Sequence, residues 1–279
     1  WGTQNHPAMG LRRNVIPMAL GAAESSAADA PEQRELDGRP HTFSSVSLPS
    51  GERVGVYYDP ESKLIAGYET TDTETMLGDV PAQYLLADYR AVSGVQIPHR
   101  ITIRKAGQPY AEVQFASATV NDPAAPAVFE IPAEAAAEAD KAVAEGDYSP
   151  ITLTEVADGV HFAQAYSHHS MVVEFPSFLG VVEAPYTEAQ SQTLVRMLRA
   201  QFPDKPIRYA AVTHHHFDHT GGVRGLAAAG ATILTERGHE VALRSIVESP
   251  HSNPPDELET KRRAQQTVGA LEVFEGKRV

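Results

Sequence analysis

The sequence predicts an α+β protein in which an N-terminal antiparallel β-sheet domain precedes a domain of alternating strands and helices. Short segments with alternating apolar residues, separated by turn sequences, run from Thr42 to about residue 132. After Pro150, strand-like segments are followed by a stretch with apolar residues at helical spacing. Alternation of strands and helices is typical of a layered α/β arrangement, so the second domain is expected to carry helices on a sheet.

Length and composition agree with two soluble globular domains. The chain has 279 residues, of which 42% are hydrophobic and 21% are charged. These proportions allow a buried core and exclude disorder of the whole chain. We therefore divide the sequence into an irregular N-terminal segment (1–41), an antiparallel β domain (42–132), a linker helix (133–150) and a second domain (151–279).

Charge and cysteine content limit the classes of function. The formal net charge is -13, which disfavours nucleic acid as a partner and leaves small-molecule substrates open. The absence of cysteine excludes disulfides, thiolate zinc sites and a cysteine nucleophile. Any transition metal must therefore be bound by nitrogen and oxygen. No apolar run is long enough to span a membrane.

The predicted strands of the first domain are marked by alternating apolar residues and by turns between them. The apolar positions are Val46 and Leu48; Val54, Val56 and Tyr58; Ile101 and Ile103; and Val113 and Phe115. Turn sequences such as Pro49-Ser50-Gly51 and Gly107-Gln108-Pro109 fall between them. The expected product is a sheet with one concave side.

Three short motifs in this region resemble the open β-barrel of lipoprotein-carrier proteins of the bacterial envelope. They are Asp88-Tyr89-Arg90, Gly94-Val95-Gln96-Ile97-Pro98 and Phe129-Glu130-Ile131-Pro132. The resemblance implies an exported, periplasmic protein with an apolar cleft. The alternative is an ordinary antiparallel sheet that packs on its neighbour.

In the second domain, a capping box formed by Thr187 and Gln190 predicts the start of a helix. Its apolar stripe comprises Leu194, Met197, Leu198 and Phe202. A further helix is expected over residues 222–229, followed by a short strand at 231–234.

A cluster of histidines follows a predicted strand at residues 208–213. The cluster reads His214-His215-His216-Phe217-Asp218-His219, and Thr220-Gly221-Gly222 opens the next helix. Residues two apart after a strand can point the same way, so His214 and His216 can converge on one cation while His215 turns aside. Asp218 and His219 add donors for a second cation. A surface histidine run or a purification tag does not embed an aspartate and a glycine pair after an apolar strand. Imidazole and carboxylate suit zinc, and they also suit iron or manganese.

The spacing His-x-His-x-Asp-His, with Thr213 and Gly221-Gly222 beside it, resembles the signature of the metallo-β-lactamase superfamily. The resemblance implies that residues 151–279 form the first half of an αββα sandwich. It further implies that His214 and His216 bind one zinc ion, that Asp218 and His219 bind a second, and that a metal-activated water performs hydrolysis. Asp218 would also act catalytically by orienting that water or taking its proton.

Several other residues can contribute to this site. In the family, a carboxylate at the end of the preceding strand supports the metal loop, and Glu183 holds that position. His168 and His169 lie in a loop that can face the site or be solvated. His239, near a helix start, and His251, in a Pro-rich turn, lack ligand spacing.

The resemblance also implies ligands downstream of the first motif, whereas the given chain ends at Val279. We therefore expect a truncated domain whose site is completed by a missing C-terminal segment or by a second chain. Two functions remain open at this point. One is a zinc-dependent hydrolase of a small molecule, and the other is an envelope carrier protein with an incomplete or vestigial metal site.

Overall fold

The computed structural model describes residues 28–47, 53–121, 123, 130–137, 151–165, 167–252 and 255–276. Among these, one compact unit holds residues 28–72 and 80–130, and a second holds residues 73–79 and 131–276.

A seven-stranded antiparallel sheet forms the first unit, and its strands follow one another in chain order. The strands are β1 (Glu32–Leu36), β2 (Arg39–Ser47), β3 (Arg53–Tyr58), β4 (Ile65–Glu74), β5 (Gly78–Val92), β6 (Val95–Lys105) and β7 (Gln108–Gln114). Alternate residues bury one face, and the largest cluster comprises Val46, Val54, Val56, Tyr68 and Leu86. The predicted positions 46, 54, 56, 58, 101, 103 and 113 all lie in strands, whereas Phe115 lies one residue beyond the end of β7 and Leu48 lies outside the described residues.

The sheet begins earlier than the predicted boundary at residue 42, so the assignment of 1–41 as irregular is wrong for its last ten residues. Strands β1 and β2 form a hairpin whose turn is Asp37-Gly38, with φ of 49° and 74°. An Asp-Gly pair with both φ values positive is the turn that two-residue hairpins favour. The β1 sequence EQREL shows no apolar alternation because four of its five residues are exposed. Residues 1–27 lie outside the described residues.

The predicted linker helix is described only at its start. Residues 133–137 are helical, and residues 138–150 lie outside the described part of the chain.

A mixed sheet forms the centre of the second unit, in the order β14-β13-β12-β11-β10-β9-β8. Its strands are β8 (Thr152–Ala157), β9 (Val160–Gln164), β10 (Ser170–Glu174), β11 (Leu179–Val182), β12 (Ile207–Ala211), β13 (Thr232–Glu236) and β14 (Leu271–Phe274). Strands β8 to β11 pair antiparallel, and β11 to β14 pair parallel. Helices connect the parallel strands because a parallel pair needs a crossover.

Besides the helical residues 133–137, the described part of this unit contains the helices α1 (Glu188–Gln201), α2 (Phe217–Thr220), α3 (Val223–Ala228), α4 (Glu240–Glu248) and α5 (Glu257–Arg263). The side chain of Thr187 accepts from the backbone N–H of Gln190 at 3.2 Å, which confirms the predicted helix start. Apolar residues of the helices and strands share one core that includes Leu179, Leu194, Leu198, Leu226 and Ile233. The predicted α+β class is confirmed, with an antiparallel sheet in the first unit and a mixed sheet packed with helices in the second.

One charged side chain lies inside the helix layer. Arg224 on α3 is 1% exposed and pairs with Asp256, its Nη2 lying 3.1 Å from Oδ1. Its Nη1 donates to three backbone carbonyls, those of Ile246, Val247 and Ser249, at 2.9–3.0 Å. A buried guanidinium is tolerated when its donors are satisfied in this way.

Among the described residues, no helix is both long and apolar enough to cross a membrane.

Candidate metal centre

The histidine cluster lies at the carboxyl edge of two parallel strands. Strand β12 ends at Ala211, and the cluster follows it directly. Strand β11 ends beside it at Val182, and the backbone N–H of Glu183 donates to the carbonyl of Ala211 at 2.8 Å. Carboxyl ends of parallel strands open onto one edge, so both connections reach the same place.

His214, His216 and Asp218 form one group of metal donors. One donor atom from each lies within 4.8 Å of the donor atoms of the other two. The rings of His214 and His216 are 4.8 Å apart between centroids. His215 belongs to neither donor group; it is exposed, and its ring lies 5.7 Å from that of His239. The geometry thus brings together the pair assigned to the first ion, with His215 to the side.

A second donor group contains His168 together with Asp218 and His219. The Nε2 atom of His168 lies 3.3 Å from Oδ2 of Asp218, and Nε2 of His219 lies 3.8 Å from the same oxygen. Asp218 and His219 are the pair assigned to the second ion, and Asp218 belongs to both groups. The sequence alone does not identify His168 as a ligand, because it lies 50 residues before Asp218 and outside any spacing typical of metal ligands.

Glu183 holds the metal loop at two points. Its Oε2 lies 2.9 Å from Nδ1 of His219, and its Oε1 accepts from the backbone N–H of Thr213 at 2.9 Å. A carboxylate on one ring nitrogen fixes the tautomer and leaves the other nitrogen free to bind a metal. Glu183 therefore occupies the supporting position expected from the sequence, and its longer side chain reaches the loop.

The environment of His214 favours neutral imidazole. Desolvation lowers the pKa of His214, and the neighbouring His219 and His216 lower it further. Neutral imidazole is the form that binds a metal ion.

Gly221 and Gly222 are required by close packing. A Cβ atom at Gly221 would overlap the backbone carbonyl of Tyr186, and one at Gly222 would overlap the hydroxyl of Ser191. Neither residue has positive φ. The pair therefore lets the backbone after the histidine cluster approach the loop after β11.

Three non-glycine residues around the site have left-handed backbone conformations. These are His168 (φ 52°), Glu183 (φ 70°) and Tyr186 (φ 58°). Such conformations cost free energy and tend to cluster at functional sites, where the surrounding structure holds them.

The remaining histidine candidates lie outside both donor groups. His169 Nδ1 accepts from the backbone N–H of Ala165 at 3.2 Å, and its ring packs on Phe162. His239 closes a short 3-10 turn. His251 is fully buried beside Asp256.

The donor chemistry and the separations fit zinc. Both groups offer only imidazole nitrogen and carboxylate oxygen, as the lack of cysteine requires. Tetrahedral zinc with bonds of roughly 2.0–2.1 Å places its ligands about 3.4 Å apart. The 3.3 and 3.8 Å separations in the second group lie near that value.

A comparison with protein families matches residues 185–244 to the Metallo-beta-lactamase superfamily. The matched segment contains α1, β12, the histidine cluster and the glycine pair. A comparison with curated proteins gives no match.

Solved structures show partial likeness. A metallo-β-lactamase from Hirschia baltica is 18% identical, with a TM-score of 0.33, 47% of this chain covered and 56% of that one. A Cronobacter sakazakii metallo-β-lactamase with a HARLDQ motif is 23% identical, with a TM-score of 0.30, and the match covers 36% of this chain and 39% of that one. The mono-zinc form of the metallo-β-lactamase FIM-1 from Pseudomonas aeruginosa is 19% identical, with a TM-score of 0.32, and the match covers 45% of this chain and 51% of that one. The chain thus spans between 39% and 56% of the length of these three proteins.

Proposed function

We propose that this chain belongs to the metallo-β-lactamase superfamily and carries the metal-binding part of a zinc-dependent hydrolase of small molecules. The observation that carries the proposal is the convergence of two donor groups at the carboxyl edge of the parallel strands β11 and β12. Four of the donors, His214, His216, Asp218 and His219, lie within the segment that matches the family. One or two zinc ions would be held, the first by His214 and His216 and the second by Asp218 and His219. Iron or manganese would suit the same donors.

When bound, zinc supplies an activated water and polarises the bond to be hydrolysed. The residues of the chain have separate tasks. The imidazoles of His214 and His216 would hold one ion, and Glu183 would keep His219 in the tautomer that binds. Asp218 belongs to both groups, so its carboxylate is placed to orient the attacking water or to accept its proton.

The class of substrate follows from the reaction and from the charge of the chain. Esters, lactones, amides, thioesters and sulfate or phosphate esters are the substrates of such hydrolysis. A net charge of -13 disfavours nucleic acid. We further propose that the protein is exported to the periplasm, on the resemblance of the first domain to envelope carrier proteins.

The carrier alternative required an apolar cleft in the first unit. A cavity of about 560 Å³ on the N-terminal sheet is lined by Arg34, Arg53, Arg104 and Glu69 as well as by Phe43 and Val54. This mixed lining does not favour an apolar ligand.

The test is metal analysis of the untagged chain and of a His214→Ala/His216→Ala double variant, with His215→Ala as the matched control. His215 lies in the same cluster but in neither donor group, so His215→Ala should keep the zinc content of the parent and the double variant should lose its first ion. Hydrolysis of chromogenic esters, lactones and β-lactams is then measured for the zinc-loaded parent and both variants. Zinc content unchanged by the double variant, or no hydrolysis by the zinc-loaded parent, would overturn the proposal.

A further inference from the structure

We propose that His168, in the loop between β9 and β10, is a ligand of the second metal ion together with Asp218 and His219. The inference rests on the proposed function, because it assigns a residue to that same metal centre. It adds a donor from a part of the chain well before the histidine cluster and outside the segment that matches the family.

The separation between His168 and Asp218 is that of two ligands rather than of a hydrogen-bonded pair. Their 3.3 Å contact is longer than the common N–H···O distance of about 2.9–3.0 Å. It is close to the roughly 3.4 Å expected between two ligands of one tetrahedral zinc ion. The ring of His168 stands perpendicular to that of His219, with centroids 5.5 Å apart, so the two imidazoles are direct neighbours.

The remaining ring nitrogen of His168 already has a partner. Its Nδ1 lies 3.0 Å from the hydroxyl of Ser167. With the ring proton on Nδ1 and donated to Ser167, Nε2 keeps the lone pair that a metal requires. A metal ion bound there would contact Nε2 of His168, the carboxylate of Asp218 and Nε2 of His219.

The loop is built to hold His168 in this position. The residue has a left-handed backbone, its carbonyl accepts from Gln190 Nε2 at 3.4 Å, and its ring packs edge-on against Tyr186 at 4.8 Å. Gln190 is buried in the first turn of α1. Gln190 and Tyr186 thus hold His168 in a strained backbone conformation. Such conformations tend to cluster at functional sites, which favours a functional role for the His168 side chain.

The experiment compares His168→Asn with His169→Ala in the untagged full chain. Asparagine tolerates the left-handed backbone and keeps a polar side chain, but it lacks the imidazole. His169→Ala removes an imidazole from the same loop without touching either donor group. Zinc and cobalt binding are measured by calorimetry and by competition with a chelator, and the cobalt absorption spectrum reports the coordination of each ion.

We expect His168→Asn to weaken binding of the second ion by more than about 100-fold. Loss of a residue that only hydrogen-bonds to a ligand commonly lowers metal affinity by about 10- to 100-fold. The cobalt spectrum of that ion should change, while the first ion and the melting temperature stay close to those of the parent. His169→Ala should leave both ions unchanged.

Three results would overturn the inference. If His168→Asn binds both ions as the parent does, the contact with Asp218 is an ordinary ion pair. If His169→Ala loses the second ion to the same extent, the effect belongs to the loop fold. If the parent binds no ion in either position, the proposed function fails together with this inference. If the parent binds both ions and only the His168 result is negative, this inference fails and the proposed function stands.

Discussion

At the scale of single residues, the metal centre depends on contacts that order the imidazoles. Glu183 contacts both His219 and the backbone of Thr213. One carboxylate therefore orients the ring of His219 and fixes the backbone just before the histidine cluster. Its left-handed φ of 70° indicates that the chain accepts local strain to place this group.

We expect Glu183→Gln to weaken zinc binding by about 10- to 100-fold, the effect usual for loss of an outer hydrogen-bonding partner. The amide oxygen can still accept from Thr213, but the negative charge that supports His219 is gone. Chelator competition measures the affinity. Glu174→Gln is the control, because Glu174 pairs with Lys205 and His161 on the same sheet. Equal zinc affinities for Glu183→Gln and the parent would contradict this role.

The sequence predicts the candidate ligands that lie within one short motif, but it leaves open whether His168 faces the site. His214, His216, Asp218 and His219 are readable because a fixed spacing follows a strand end. His168 is brought to Asp218 by the pairing of β10 with β11 and of β11 with β12, which sequence spacing does not contain. Arg224 is missed for a different reason, since an arginine in a helix ordinarily faces solvent.

At the scale of elements, the junction between the histidine cluster and α3 is the tightest packed point of the site. The backbone N–H of Gly222 donates to the carbonyl of Ala184 at 2.7 Å, and that of Ala184 donates to the carbonyl of His219 at 3.1 Å. These bonds join the loop after β11 to the metal loop.

We expect Gly221→Ala to destabilise the chain by roughly 1–3 kcal/mol or more, the usual cost of forcing atoms into a packed interior. The new methyl group would meet the carbonyl of Tyr186, which is backbone and cannot turn away. Gly225→Ala is the control, because its Cβ would lie 3.1 Å from the Cβ of Ser191 and the residue is inside α3. Urea unfolding measures both variants. Similar midpoints for the two would show that the junction has room.

Element prediction succeeds where periodicity or caps are strong and fails where they are weak. The Thr187 and Gln190 cap locates α1, and the apolar run before His214 locates β12. Strand β1 escapes detection because an edge strand with exposed charged residues lacks alternation. Strand β4 is likewise not predicted, since its sequence IAGYETTDTE is mostly polar although half of it is buried.

At the scale of the whole molecule, stability depends on pH through a buried histidine. His251 is fully buried, and neither ring nitrogen has a hydrogen-bond partner among the described residues. Burial and the adjacent Arg224 together lower the pKa of His251 to about 4, although Asp256, Asp79 and Glu259 oppose the shift.

The direction of the change in stability with pH follows from the difference in proton binding between the folded and unfolded chains. Because the folded pKa lies below the ordinary value of 6.5, the unfolded chain binds the proton more readily between these values. Stability is therefore full above about pH 6.5 and falls as the pH approaches 4, by on the order of 3 kcal/mol for this group. We expect His251→Met, of similar size and without a titrating group, to lose less stability than the parent over that range. Urea unfolding at pH 7 and pH 4.5 checks this, and equal losses in both proteins would contradict it.

The glycine pair beside Tyr186 and Ser191 bears on the thermodynamics of metal uptake. The backbone after the donors packs closely against the loop after β11. We therefore expect the proposed ligands to be held near their binding positions before an ion arrives. Preorganisation of this kind reduces the entropic cost of association. The affinity for a metal ion would then depend on Gly221 and Gly222, although neither belongs to a donor group.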